Sequence, residues 1–582
     1  MQLVISDSSS GALAARPAGT DTTHDRGRTQ RSETTTEAAW TARHPGYRRL
    51  VPGESPGQDQ VRAAEVIASL CLATDLGMGF PLEHGLRSTV FAVRLAERLG
   101  VDSETLSQVY YGCLLFYVGC TADAEITAEL FDDGALLAHF SPVMFGSRVQ
   151  IAGGIARALA GPRDVGPLPR AVDVVSRLPR AVRGHRRHLT ALCEVAQMLS
   201  DQLGMAPSIS GLFGQLTERW DGRGEPVGLR GEAIPLALRV IHVARDAAFQ
   251  RELGGVEFAA QVVRERAGAA FDPAVSGVLA DEASEILAID HEGSVWDEIL
   301  AAEPDPRLTL HGESIDAALA GMGDFADLAS PYLVGHSAGV AELAAGAALR
   351  SGFQPAQVVA VRRAALVHDV GRVGVPVRIW QKAGPLAPDE WERVRLHAYH
   401  SERILCRSPF LAALAPAATF HHERLDGAGY HRGVPAAALS PLARLLAAAD
   451  AYHAMTEPRP YREALPPQRA ADQLGLEASA GRLDADSVAA VVAAAGFRAP
   501  SVARPAGLTE REAQVVALLA RGLVTKQVGR ALGISTKTAD RHVQNAYAKI
   551  GVSTRAAAAL FAMQHGLVTW GEVPIVRPRG HS

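Results

Sequence analysis

The sequence predicts an all-α protein built from two tandem helical domains and a C-terminal helix-turn-helix bundle. Apolar residues recur with helical periodicity from about residue 58. Alternating apolar and polar runs, which are typical of half-buried strands, are absent up to about residue 496. Near the C-terminus, a repeated cap-turn-cap pattern indicates three or four short helices.

Composition favours a multidomain protein with buried cores. The chain has 582 residues, 47% of them hydrophobic, and a mean hydropathy of +0.05. No run of 18 apolar residues could span a bilayer, so we expect no membrane association. The five cysteines are scattered and never form C-x-x-C, which excludes a disulfide framework and a zinc ribbon and fits a reducing cytoplasm.

Domain boundaries follow from changes in composition. Residues 1–57 are rich in Ser, Thr, Arg and Gly and are expected to be disordered, without a secretory signal. The predicted helical domains span 58–300 and 310–497, joined by a connection at 291–312 that Pro304 and Pro306 interrupt. A linker at 498–507, the predicted helix-turn-helix module at 508–567 and a tail at 568–582 follow.

Seven potential metal ligands lie in or just before the stretch 361–462. All offer imidazole nitrogen or carboxylate oxygen: His336, His368, Asp369, His397, His421, His422 and Asp450. One tetrahedral zinc needs only four ligands. We therefore expect two metal ions that share Asp369 as a bridge.

The residues that follow His421-His422 favour a metal site over a chance pair of histidines. In a chain with 20 histidines, the pair His421-His422 could arise by chance, and a core role is the alternative interpretation. The pair, however, opens a run containing Asp426, Gly427 and Gly429, whose glycines suit a tight loop. His400 and His453 are predicted to be structural or surface residues.

These strings resemble the HD-GYP phosphohydrolases. The family motif H-D-x-G-K is here His368, Asp369, Gly371 and Arg372, with Arg in the Lys position. The motif G-Y-P is Gly429, Tyr430 and His431, without the proline. Together with the internal repeat described below, the resemblance implies two HD-type domains. It also implies hydrolysis of a cyclic dinucleotide or related phosphodiester, with two divalent ions, iron or manganese, as cofactors.

The resemblance also implies individual roles. Asp369 and Arg372 are expected to be catalytic, and Tyr430, Arg459 and Arg462 are expected to bind substrate. Three-metal members of the family carry Glu four residues before the first histidine, where this chain has Tyr332, which favours two metals.

An internal repeat places a degenerate copy of this unit in residues 58–300. His84 precedes Phe116 by the same 32 residues that separate His336 from His368. Phe116 and Tyr117 thus stand in the His-Asp positions, and Leu216-Thr217 replaces His421-His422. Arg245 falls at the position of Asp450. We predict no metal in this copy, which leaves two roles open, nucleotide sensor or scaffold.

Residues 508–567 resemble the LuxR-type helix-turn-helix module. Thr509 and Glu512 have the spacing of a capping box, and Ser535 and Gly551 bound a predicted recognition helix. The segment carries eight Lys or Arg residues and three acids, whereas the whole chain has a net charge of -5. A basic module on an acidic body is typical of proteins that contact DNA phosphates.

The predicted DNA contacts divide into two groups. Asp540, Arg541, Gln544 and Asn545 face outward on the third helix and could reach base edges. Lys526, Lys537 and Thr538 are placed for phosphates. The last helix, Ala556 to His565, is rich in small and apolar residues, which predicts a homodimer.

Two function classes remain open on the sequence. One is a DNA-binding regulator with a working two-metal phosphodiesterase. The other is a regulator whose HD-GYP unit binds a nucleotide without significant catalysis. The full set of seven ligands favours hydrolysis.

Overall fold

A computed structural model describes residues 59–121, 141–159, 190–289, 294–430, 432–496, 505–565 and 567. These residues belong to one compact unit, Ser55–Ser582. The expectations for residues 1–57, His431, most of the linker and the tail fall outside the described residues. Among the residues described, none of the helices has both the length and the apolar character needed to cross a bilayer.

The regular secondary structure of the described residues is almost entirely helical, as predicted. The longer helices of the first half are α1 (Ala63–Met78), α2 (His84–Arg98), α3 (Ser103–Leu114), α4 (Arg148–Leu159), α5 (190–202), α6 (Leu236–Arg266, interrupted at Gly255), α7 (Pro273–Asp281) and α8 (Val295–Ala301). One-turn and 3-10 helices lie at Val118–Thr121, Ser141–Val143, Pro207–Ser210, Gly211–Gln215, Gly231–Ala233 and Ala283–Ile286.

The second half is also helical, and the C-terminal module follows it. Its longer helices are α9 (Glu313–Asp327), α10 (His336–Arg350), α11 (Pro355–Val367), α12 (Pro388–Arg395), α13 (His397–Leu405), α14 (Pro409–Ala418), α15 (Pro441–Thr456), α16 (Pro467–Ser479) and α17 (Ala485–Ala494). The module consists of α18 (Glu510–Ala520), α19 (Thr525–Ala531), α20 (Thr536–Ile550) and α21 (Arg555–Gln564). Short helices lie at Val370–Gly374, Val377–Trp380, Ala436–Ala438 and Pro505–Gly507.

Two short strands, which the sequence did not predict, join the halves. β1 (Gln60–Arg62) and β2 (Thr309–His311) pair antiparallel, with Val61 opposite Leu310. Each strand directly precedes the first long helix of its half. Helix α8 and strand β2 both lie within the predicted connection, so its described residues form regular structure.

Matching contacts recur in the two halves. Asp75 accepts a bond from the backbone N–H of Gly85 at 3.1 Å, and Asp327 accepts one from Ser337 at 2.8 Å, ten residues ahead in both cases. A Cβ on Gly85 would lie 2.3 Å from Cys71 Sγ, because the two helices cross closely there. These contacts support the predicted repeat.

The C-terminal module has its own apolar core, formed by Val515, Leu518, Leu519, Leu523, Val528, Ala539 and Val543. Thr509 and Glu512 form the predicted capping box. Ser535 caps α20 through the N–H of Thr538, and Gly551 ends that helix with a φ of 72°. Local sequence signals therefore set the bounds of these helices.

Candidate metal centre and DNA-binding surface

Three histidines of the second half are oriented by their own helices. Nδ1 of His368 lies 2.7 Å from the carbonyl of Ala365, and Nδ1 of His397 lies 2.5 Å from that of Val394. His421 makes the same bond to a carbonyl three residues earlier, at 2.5 Å. A carbonyl can only accept, so Nδ1 carries the proton. Each Nε2 is left with a lone pair, as a metal ligand requires.

These Nε2 atoms converge on Asp369. The Oδ1 atom lies 3.1 Å from His397 Nε2 and 3.4 Å from His421 Nε2. The Oδ2 atom lies 3.0 Å from His368 Nε2 and 3.7 Å from His336 Nε2. Asp369 does not continue helix α11, which ends at Val367. Its φ of -106° and ψ of 14° start the 3-10 turn that turns the carboxylate toward the neighbouring helices.

Asp450, on α15, adds a second carboxylate to the cluster. Its Oδ1 lies 3.3 Å from His336 Nε2, and its Oδ2 lies 3.7 Å from His422 Nδ1. The structure thus brings together all seven residues that the sequence singled out as ligands. Two ligand groups, Asp369-His397-His421-His422 and His336-His368-Asp369, share Asp369.

Several ligand atoms of the cluster lack hydrogen-bond partners within the protein. Nε2 of His336, Nε2 of His368 and both oxygens of Asp369 are buried without a hydrogen bond of good geometry. His422 Nδ1 and one oxygen of Asp450 are also buried without a hydrogen bond. Buried polar atoms without partners are costly, about 1–3 kcal/mol each. Divalent cations bound between these imidazoles and carboxylates would satisfy them.

Burial and the neighbouring charges keep Asp369, His368 and His422 in the forms that bind metal. Burial works against ionisation of Asp369, but the adjacent charge of the Arg372 guanidinium outweighs it and holds the pKa of this carboxylate well below the usual value. Burial lowers the pKa of His368, and that of His422 falls well below its ordinary value. Neutral imidazoles and an ionised carboxylate are the ligand forms that divalent metals take.

Arg372 lies directly beside the bridging position. Its guanidinium forms an ion pair with Asp369 and lies 5.3 Å from the ring centroid of Trp380. The Nε and Nη1 atoms of Arg372 are buried without a hydrogen bond. These two donors are therefore available to an anionic group that enters the cluster.

Tyr430 also borders the cluster, whereas the other predicted substrate residues have structural contacts. The Tyr430 ring lies 4.2 Å from that of His422, at an interplanar angle of 31°. Arg462 donates to the carbonyls of Met455 and Glu457 at 3.1 and 3.0 Å. It thereby caps the C-terminal end of α15, because the last carbonyls of a helix lack partners within it. Its expected role on substrate phosphate stays a prediction.

Arg459 likewise binds protein groups. It donates to the carbonyl of Tyr332 at 2.5 Å and to Glu457 Oε2 at 2.8 Å. Its predicted contact with substrate would have to compete with both bonds.

Sequence reasoning missed Glu457. Its Oε2 lies 2.8 Å from His336 Nδ1, so it orients this ligand as the backbone carbonyls orient the other three. Together with Asp450, it raises the pKa of His336 to about 9, although burial acts in the opposite direction. His453 is buried, as a structural residue should be, and lies 3.3 Å from Glu457 Oε1. The i, i+4 spacing of His453 and Glu457 was the available signal.

The corresponding place in the first half is filled by aromatic rings and an arginine. The guanidinium carbon of Arg245 lies 4.0 Å from the ring centroid of Tyr117 and 4.6 Å from that of Phe116. Nδ1 of His84 lies 3.0 Å from Glu252, and its ring centroid is 4.1 Å from that of Phe249. Among the described residues of this half, no group of three or more His, Cys, Asp or Glu is placed to hold a metal.

The loops that follow also correspond. Glu218 accepts bonds from the N–H groups of Val227, Gly228 and Leu229, all at 2.8 to 3.1 Å. Glu423 accepts from Val434 at 3.3 Å. Gly427 has a φ of 75°, as the sequence suggested. Gly429 is needed for a different reason, since a Cβ there would lie 2.5 Å from Glu423 Cα.

The predicted DNA contacts lie on one exposed surface of the C-terminal module. Its exposed members are Lys526, Lys537, Thr538, Asp540, Arg541, Gln544 and Asn545. The last helix, α21, is not exposed in this way. Its seven consecutive residues Ala557–Met563 are buried, so the face that the sequence assigned to pairing between chains is covered within this chain.

Comparison with known proteins agrees with this geometry. Residues 322–487 match the HD domain family, and residues 506–562 match the luxR family of bacterial regulatory proteins. The chain therefore combines an HD domain with a LuxR-type helix-turn-helix domain. The curated proteins that it resembles include phosphodiesterases named for 3'3'-cGAMP and for cyclic di-GMP.

One such relative extends over most of the chain. It is the 3'3'-cGAMP-specific phosphodiesterase 3 of Vibrio cholerae serotype O1, 29% identical over 423 residues, which are 72% of this chain and 91% of the relative. A cyclic di-GMP phosphodiesterase of Thermotoga maritima is 36% identical over 150 residues, 25% of this chain and 40% of the relative.

A crystal structure of a cyclic GMP-AMP specific phosphodiesterase from V. cholerae shares the fold. Its TM-score is 0.52 at 24% identity, covering 76% of this chain and 99% of that one.

Proposed function

We propose that the HD domain is a two-metal phosphodiesterase that cleaves a cyclic dinucleotide or a related phosphodiester, and that the LuxR-type domain binds DNA. The observation that carries the proposal is the convergence of five imidazoles and two carboxylates on a buried site, where several of their nitrogen and oxygen atoms lack hydrogen bonds. The chemical class of substrate comes from relatives named as 3'3'-cGAMP and cyclic di-GMP phosphodiesterases.

The residues around Asp369 would hold two divalent ions, for which we propose iron or manganese. Such ions, when bound, polarise phosphoryl oxygens and make a nucleophile available near neutral pH. Asp369 belongs to both ligand groups and is the proposed bridge. The three histidines with protonated Nδ1 are held by backbone carbonyls, so their rings need little reorganisation on metal binding.

Arg372 and Tyr430 are the proposed substrate contacts nearest to the metals. Arg372 has two buried N–H groups without a hydrogen bond beside the bridging carboxylate, which suits the charge of a phosphodiester. Tyr430 lies over His422, where its ring can pack against a base or a sugar. Arg459 and Arg462 support the segment that follows α15 and are proposed to act on substrate only indirectly.

For the first half, a scaffold is better supported than a sensor. The place of the metals is occupied by Arg245 between aromatic rings. Helix α1 packs on the 3-10 turn Val370–Gly374, since a Cβ on Gly374 would lie 2.8 Å from Leu76. We propose that the first half supports the turn that carries Arg372.

Hydrolysis tests the proposal. The purified full-length protein, loaded with manganese or with iron, is incubated with 3'3'-cGAMP, cyclic di-GMP and linear diesters. We expect cleavage of at least one cyclic dinucleotide, and loss of cleavage together with metal in Asp369→Ala. Asp389→Ala, an exposed aspartate at the start of α12, is the matched control and should retain both. Binding of a dinucleotide without cleavage by the metal-loaded protein would favour the regulator without significant catalysis.

A further inference from the structure

The last helix of the LuxR-type domain packs against helices of both halves of the chain, α5 of the first and α9 of the second. A helix that packs on one side only buries every third or fourth residue. Helix α21 instead buries seven residues in succession, Ala557–Met563, because α18 of its own domain and α9 of the second half both pack against it.

Polar contacts fix both ends of α21. At its N-terminus, the Glu194 carboxylate accepts bonds from the backbone N–H and hydroxyl groups of Ser553 and Thr554, three of them at 2.8, 3.1 and 2.8 Å. At its C-terminus, Gln564 donates to Gln202 at 2.6 Å. Gln202 in turn donates to Asp324 of α9 at 3.0 Å.

A second contact lies beside the metal centre. The ring of Tyr332 packs against the apolar core of the LuxR-type domain. A Cβ on Gly522, in the turn after α18, would lie 3.0 Å from Pro331. Tyr332 lies four residues before His336, so the turn that leads into α10 both contacts the DNA-binding domain and delivers a predicted metal ligand.

Direct bonds connect this contact to the cluster. His336 Nδ1 lies 2.8 Å from Glu457 Oε2, and Arg459 donates to the same oxygen at 2.8 Å. Arg459 also donates to the carbonyl of Tyr332 at 2.5 Å. On the other side of its ring, His336 Nε2 lies 3.3 Å from Asp450 and 3.7 Å from Asp369.

We propose that the chain His336–Glu457–Arg459–Tyr332 couples the metal centre to the docking of the DNA-binding domain, and that metal in the cluster stabilises the docked state. A cation held at Nε2 would fix the His336 ring, and with it the direction of the hydrogen bond that Nδ1–H donates to Glu457. A firmly held Glu457 orders Arg459, which holds the Tyr332 carbonyl and thereby the docking turn. The inference rests on the metal site of the proposed function and does not require hydrolysis.

The coupling controls whether α21 is covered, and it does not control whether the recognition surface can reach DNA. The predicted recognition surface on α19 and α20 is exposed in the docked domain, whereas α21 is covered. Release would therefore expose an apolar helix and free the domain to reorient on its linker.

Hydrogen exchange of the full-length protein tests the coupling. Amide exchange in residues 553–564 is measured in EDTA and in manganese alone, without nucleotide. We expect exchange to slow by at least about fivefold with manganese, the lower end of common coupling energies. Arg459→Ala should still bind manganese and lose this dependence, and Tyr332→Ala should do the same. Arg98→Ala, on the surface of the first half, is the control and should behave as wild type.

Glu194→Gln tests the docking itself. Loss of the carboxylate should speed exchange of 553–564 in both states, and Glu342→Gln, an exposed glutamate of α10, should not. Equal exchange with EDTA and manganese in a protein that binds the metal would overturn the coupling, even if it hydrolyses diesters. A metal response without any hydrolysis would leave the coupling standing and refute only the proposed enzyme activity. Should Arg459→Ala fail to fold, the Tyr332→Ala result decides.

Discussion

His84 and His336 begin corresponding helices, and each places Nδ1 on a glutamate. The distances are 3.0 Å to Glu252 and 2.8 Å to Glu457. Each is preceded by a residue with positive φ, 68° at Glu83 and 80° at Gly335. The surroundings of Nε2 differ, because His336 faces two carboxylates whereas His84 packs among aromatic rings.

This pair provides a matched test of where metal binds. His336→Ala should lower the affinity for manganese by at least about tenfold, since losing a direct ligand should cost no less than losing an outer partner. His84→Ala should leave the metal content unchanged. Metal analysis of the two purified variants after dialysis makes the comparison. Metal loss in His84→Ala alone would contradict the assignment to the second half.

Gly371 of the H-D-x-G string is expected to tolerate no side chain. An added Cβ would lie 2.2 Å from the backbone nitrogen of Ser401 and 2.4 Å from the His397 carbonyl. Gly371→Ala should destabilise the HD domain by about 1–3 kcal/mol and displace His397. Gly277→Ala in α7 has open space and should be neutral or stabilising by about 0.5–1 kcal/mol. Denaturant unfolding and manganese titration measure both effects.

Glu512 predicts a pH dependence for the LuxR-type domain. Its bonds to Lys549 and to the N–H of Thr509 lower its pKa to about 2. Because the folded pKa lies below the ordinary value of 4.5, this stabilisation is present above about pH 4.5 and is lost as the pH falls toward 2. Glu512→Ala should remove roughly 1 kcal/mol at pH 7 and much of the acid sensitivity of α18. Hydrogen exchange of the α18 amides between pH 5 and pH 3, corrected for intrinsic rates, measures this loss of stability. The same pH dependence in Glu512→Ala as in wild type would refute the role of Glu512.

Arg541 and Lys526 should affect DNA binding differently. Arg541, on the exposed side of α20, is expected to read bases, so Arg541→Ala should cost about 1–3 kcal/mol on a selected operator and relax its specificity. Lys526→Ala should weaken binding to all duplexes and reduce the salt slope by about 1. Anisotropy titrations at several salt concentrations, with operator and random duplexes, distinguish the two. Relaxed specificity in Lys526→Ala and a uniform loss of affinity in Arg541→Ala would contradict this assignment.

The predicted homodimer now depends on α21. Because this helix is covered in the docked chain, pairing through it requires release, and an operator with two half-sites would be bound by released chains. Sedimentation of Glu194→Gln against Glu342→Gln should show more dimer in the first. Equal dimer content in both would mean that any pairing uses another surface.

The sequence by itself determined the fold class, the seven clustered residues and the bounds of the DNA-binding helices. These properties depend on local patterns: apolar periodicity, capping residues such as Thr509 and Ser535, and ligand types at recognisable spacing. Phe116 and Tyr117 stand in the His-Asp positions of the first half, and the absence of metal from that half stays a prediction.

Only the tertiary structure decided which partners those residues meet. Glu457 orients His336, and Arg459 and Arg462 bind carbonyls rather than facing an open site. Helix α21 is covered by Glu194, Gln202 and α9, which are distant in sequence. Such contacts depend on how helices hundreds of residues apart pack together, and a single sequence has no local signal for that packing.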